Sequence, residues 1–87
     1  MIEEYVNRIE EACGEEKDTI VLFKHFRKEE AIKKILSKME LERSISNILF
    51  SGRFKDKKIN LFKTGKLVIK GIRGKKEIED FLNELLT

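Results

Sequence analysis

The segment Ile59-Asn60-Leu61-Phe62-Lys63-Thr64-Gly65-Lys66-Leu67-Val68-Ile69-Lys70-Gly71 constrains the fold more than any other part of the chain. It reads as two short strands around a Lys-Thr-Gly-Lys turn, with a phenylalanine at the turn and lysines throughout. Gly65 supplies the positive φ that a tight hairpin needs, and Leu67, Val68 and Ile69 suit a pleated surface. Gly71 closes the second strand, and a basic loop leads into a final helical pattern. A phenylalanine at a strand tip, an apolar strand carrying lysines and a basic surround suit contact with a polyanion that also offers flat apolar surface.

The remainder sorts by periodicity. Residues 2–13 read as an amphipathic helix, with Ile2, Val6, Ile9 and Cys13 on one stripe, Tyr5 and Ala12 beside it and Gly14 as a stop. Glu15 to Asp18 read as a charged loop. Thr19 to Phe26 read as a strand that is apolar on both faces at first. Residues 28–39 return to helical period through Ala31, Ile32, Ile35, Leu36 and Met39. Arg43 to Phe54 turn strand-like, as one strand or two, with Gly52 marking a bulge or bend. Lys55 to Lys58 form a turn before the hairpin, and Glu77 to Leu86 close the chain as a helix with Ile78, Phe81, Leu82 and Leu85 inward. Successive antiparallel strands and one-sided helices imply a two-layer α+β domain, helices on one face of a curved sheet and the other face free. Residues 1–18 are expected as an appended helix and acidic loop, and 19–87 as the domain proper.

Eighty-seven residues allow one core, of marginal stability when monomeric. No apolar run reaches the roughly 17 residues of a short membrane span, and the acidic start is wrong for a secretory signal. Cys13 is the only cysteine, so no intrachain disulfide framework is available and a cytoplasmic location is expected. Charged residues at 40%, without proline or glutamine, resemble heat-adapted proteins. The net charge of +3 conceals a strong polarity. Residues 1–18 hold seven acids against Arg8 and Lys17, whereas residues 52–76 hold ten cations against Asp56 alone. That asymmetry points to nucleic acid as partner.

The hairpin and its setting resemble one repeat of the TATA-box-binding protein family, over residues 19–87. A repeat there runs strand, helix, a meander of four strands, then a long helix. Its last hairpin has a phenylalanine, a small-residue turn with Gly-Lys, an apolar strand and a closing glycine, here Phe62, Thr64-Gly65-Lys66, Leu67-Val68-Ile69 and Gly71. The resemblance implies a half-saddle, with the residue 2–13 helix as an addition. Phe62 would be the stirrup wedge between base pairs, Val68 and Lys70 would face the minor groove, and Lys66 would lie near the phosphates. Counting back through the meander puts Ile45 at the second wedge and Asn60 at a concave-face position that the family keeps apolar. The additional helix and Lys70, which stands where the family favours a small polar residue, depart from the family's pattern for TATA-type sequence reading; a role in transcription is what the resemblance implies. One repeat in place of two implies a homodimer or a partner with its own repeat. Single-repeat relatives are docking domains of some bacterial ribonucleases H and DNA glycosylases, so the expected partner is double-stranded DNA or an RNA–DNA hybrid.

Arg53, Lys57, Lys58, Lys63, Lys66 and Lys70 are the expected phosphate-contacting cations around Phe62 and Val68. Gly71 to Lys76 precede a helix and could hold a phosphate, but lack P-loop spacing. His25 has no second histidine or cysteine cluster to make a metal site. Cys13 on an apolar stripe reads as a buried hydrophobe. The adjacent pairs Glu3-Glu4, Glu10-Glu11 and Glu15-Glu16 do not converge on a helix face. No catalytic set or cofactor motif emerges, and a non-enzymatic binding domain is expected. A dimerisation or protein-interaction module using the same sheet face is the alternative.

Overall fold

The computed structural model describes residues 4–11, 18–72 and 74–86. Six strands and two helices follow in the order β1 (Val6–Glu11), β2 (Asp18–Phe23), α1 (Lys28–Lys38), β3 (Glu40–Ile45), β4 (Leu49–Phe54), β5 (Lys57–Phe62), β6 (Lys66–Lys70) and α2 (Lys75–Leu85). The strands form one open antiparallel sheet in the order β1-β2-β6-β5-β4-β3.

One face of the sheet carries the core. Thr19, Val21 and Phe23 of β2, Leu67 and Ile69 of β6, and Ile59 and Leu61 of β5 alternate with less buried neighbours, as a strand covered on one side requires. Ala31, Ile32 and Ile35 of α1 and Ile78, Phe81, Leu82 and Leu85 of α2 close over them in one continuous cluster. Glu29 and Glu30 in the first turn of α1, and Lys38 in its last, complement the helix dipole. The Phe54 ring meets the Phe81 ring edge-on at 5.3 Å, fastening α2 to β4.

The expected helix over 2–13 is overturned, because Val6–Glu11 is an edge strand paired with β2. Val6 lies opposite Phe23 and Ile9 opposite Val21, both on the core-facing side. Two positions three residues apart can share a strand face only if one residue between them is extra. A bulge between Val6 and Arg8 supplies it. The bulge therefore reproduces the spacing of a helical stripe. Cys13, Gly14 and the first three residues of the expected Glu15–Asp18 loop lie outside the described residues, and Asp18 opens β2.

The run from Arg43 to Phe54 resolves into β3 and β4, separated by a turn at Ser46-Asn47, whose φ values are 49° and 56°. Asn47 tolerates that left-handed conformation through its short polar side chain. Gly52 does mark an irregularity. It pairs with Leu41 where β3 is bulged, and a β-carbon built on it would lie 2.2 Å from the Glu40 carbonyl oxygen. Gly65, expected at positive φ, has φ 103°. Lys55 and Asp56 of the β4–β5 hairpin also lie at positive φ, 51° and 65°, the geometry of a two-residue type I′ turn.

Candidate nucleic-acid interface

Neither described helix covers the second face of the sheet, and the strand registers set its side chains in rows. One row runs Arg8, Leu22, Lys66, Phe62, Leu49 and Ile45 across the strands from β1 to β3. The next runs Glu10, Ile20, Val68, Asn60, Ser51 and Arg43. Beyond it, Asp18 stands beside Lys70 and Lys58 beside Arg53.

The sequence-expected residues largely converge here. Ile45, Arg53, Lys58, Asn60, Phe62, Lys66, Val68 and Lys70 all occupy this face by register. Phe62 is outside the core cluster, partly buried, and the Lys66 ammonium lies 5.4 Å from its ring centroid. Asn60 is anchored by the Ser51 hydroxyl, which donates to its Oδ1 at 2.7 Å. Arg53 is held by Glu42 at 3.4 Å. Lys63 sits in the exposed hairpin turn, where its backbone N–H donates to the Ile48 carbonyl at 2.8 Å.

Lys57 does not belong to this face. It pairs with Phe54 on the helix side, its ammonium donates to the Gly71 carbonyl at 2.9 Å, and Glu77 lies 4.0 Å away. A residue next to Lys58 in a strand must point to the opposite side.

Arg8, Ile20, Leu22, Arg43 and Leu49 complete the face without having been singled out from the sequence. The signal for Ile20 and Leu22 was present in the two-sided apolar character of β2. Arg8 was hidden by the helical spacing of its strand. On the three strands β4, β5 and β6 this face holds apolar, amide, hydroxyl and cationic groups and no acid. Its acids stand toward the edges, as Glu10 and Asp18 on one side and, on the other, Glu40 opposite Arg53 with Glu42 beside it.

His25 is exposed in the turn between β2 and α1, and no metal-binding group of histidine, cysteine or acid residues occurs among the described residues. No described helix is long and apolar enough to cross a membrane. The loop from Gly71 to Lys76 has Gly74 at the N-cap of α2, and Arg73 lies outside the described residues. Comparison of the chain with known protein families, characterised proteins and solved structures finds no match.

Proposed function

We propose that the open face binds a nucleic-acid duplex from its minor-groove side. The observation that carries this reading is the acid-free centre of that face, where Phe62, Leu49 and Val68 stand among Arg53, Lys58, Lys66 and Lys70. A minor groove offers phosphates on both rims and base edges between them. Cations that release counterions and an apolar wedge that unstacks a step are what bending such a duplex requires. Ile45, Leu49 and Phe62 adjoin in one row near the hairpin tips and form the wedge.

The likeness to a TATA-box-binding protein repeat is supported by the order from β2 onward. That segment runs strand, helix, four consecutive strands and helix, with β1 added outside it. Double-stranded DNA and RNA–DNA hybrid are both candidate duplexes, and the chain acts here as a binding domain without catalysis.

The test is fluorescence anisotropy with labelled double-stranded DNA, RNA–DNA hybrid and single strands at low and physiological salt. Duplex binding that weakens steeply with salt is expected. Absence of duplex binding at low salt overturns the reading, and so does an affinity indifferent to salt. Protection of Phe62 and Val68 by a protein partner without duplex binding would instead assign the face to protein interaction.

A further inference from the structure

Three turns meet at one end of the sheet. The Phe23 N–H donates to the Gly65 carbonyl at 2.8 Å and the Lys63 N–H donates to the Ile48 carbonyl, which brings together the segments after β2, β3 and β5. Between these tips and the start of α1 lies an open groove of about 700 Å³. Ile32 and Ile48 give it apolar walls, and Lys28, Lys33 and Lys63 stand around it against the single acid Glu29. Ile48 is 56% exposed. Lys28, Lys33 and Lys63 have no ion-pair partner among the described residues, whereas Arg27, Arg53, Lys55 and Lys57 are each engaged by acids. In the turn immediately before Lys28, Phe26 is 84% exposed.

A large aromatic ring left in water two residues before a lysine of a basic groove offers the pairing that single-stranded nucleic acid uses. Bases stack on the ring while cations follow the phosphates. The groove lies at the hairpin tip that ends the open face, where Phe62 on that face is followed in the chain by Lys63 of the groove. We infer that this groove receives a single-stranded extension of the bound duplex, with Phe26 stacking a base and Lys28 and Lys33 contacting its phosphates, while Lys63 at the rim stays on the duplex. The inference rests on the duplex-binding reading of the open face. It adds a preference for duplex ends or junctions over continuous duplex.

The experiment compares a blunt duplex, the same duplex with a short single-stranded extension, and the free single strand, by anisotropy on the intact chain. The extended duplex is expected to bind at least about fivefold more tightly, the lower bound for one stacked base. Its log–log salt dependence should steepen by about 1.4 for the two added contacts of Lys28 and Lys33. Phe26→Ala and Lys33→Glu, both at exposed positions, should each reduce that advantage and leave blunt-duplex affinity unchanged. Circular dichroism verifies that both variants are folded. Equal binding of blunt and extended duplex overturns this inference and leaves the open-face reading intact. An advantage that survives both substitutions also overturns it. Binding of single strand alone, lost in Phe26→Ala, with no blunt-duplex binding would support the groove and overturn the open face. A two-copy mass abolished by Lys33→Glu would give the groove to the acidic segment of a second chain and overturn the inference.

Discussion

The Lys66 ammonium stands 5.4 Å from the centroid of the Phe62 ring, so the proposed wedge and a proposed phosphate contact are held as one unit. A cation over an aromatic face at a partly exposed site is worth about 0.5–1 kcal/mol, enough to bias both side chains without locking them. Phe62→Ala is expected to weaken binding to an easily bent duplex by about tenfold or more, in the range of one lost stacking contact. Phe62→Leu should retain most of the affinity. Equal binding by Phe62→Ala and the parent chain, measured by anisotropy, would remove the wedge from the mechanism.

Lys57 supplies the internal control. Its hydrogen bond to the Gly71 carbonyl is on the helix side. Lys57→Ala should leave duplex affinity within about twofold and lower stability by about 1 kcal/mol, the usual net value of such a bond. Lys58→Ala, one residue away and on the other face, should do the reverse. Urea unfolding and anisotropy on the same two variants decide the matter.

Arg43, Arg53, Lys58, Lys63, Lys66 and Lys70 surround the wedge. If all six meet phosphates, log affinity should fall against log salt with a slope near about −5. Each alanine substitution should reduce the slope by about 0.9. Arg53 should contribute least, because Glu42 already holds it at 3.4 Å. A slope shallower than about −2 would mean that the duplex engages only a fraction of the face.

Two backbone positions make opposite stability predictions. Gly52→Ala forces a methyl group against the Glu40 carbonyl, 2.2 Å away, and the Met39 Cε, 2.6 Å away. It should cost about 2 kcal/mol or more, because the nearest obstacle is backbone that cannot swing aside. Asp56→Gly relieves a left-handed residue at φ 65° in the β4–β5 turn and should stabilise by several tenths to about 1 kcal/mol. Chemical denaturation of both variants reads the two signs directly.

Lys34 lies 5.1 Å from the Tyr5 ring centroid and 3.4 Å from the Leu86 carbonyl oxygen. Hydrogen bonding to Tyr5 raises its pKa above the ordinary 10.5, against opposing desolvation and with further attraction from Tyr5, Glu30 and Glu4. A folded-state pKa above the unfolded value stabilises the fold at pH values below the unfolded pKa. That contribution disappears as pH rises through the folded value. Lys34→Met should therefore flatten the alkaline fall in the urea midpoint above pH 10.5 and leave the neutral-to-acid limb unaltered in shape. An identical alkaline limb in both proteins would reject the Lys34–Tyr5 linkage.

The parts of the fold that follow an uninterrupted period were readable from the residues. The patterns at 28–39 and 77–86 became α1 and α2, and the hairpin around Gly65 became β5 and β6. What escaped was β1. Its bulge puts Val6 and Ile9 on one face three residues apart, and periodicity then cannot distinguish strand from helix. The same kind of interruption, between Leu41 and Arg43, obscured where β3 begins. On the open face, alternation around Phe62 and Val68 identified the central residues. Leu22 and Arg8 could be added only when the order of the strands placed β2 beside β6 and β1 beside β2. Both edge strands combine a bulge with charged side chains, which discourages pairing with a second sheet.

Core and interface are written in alternate letters of the same strands: Leu61 faces inward and Phe62 outward, Leu67 inward and Val68 outward. A one-residue slip would exchange the two sets, carrying Lys58 of β5, or Lys66 and Lys70 of β6, beneath the helices. Selection for a stable interior thus polices the alignment of the proposed recognition surface, while individual outward letters remain free to change.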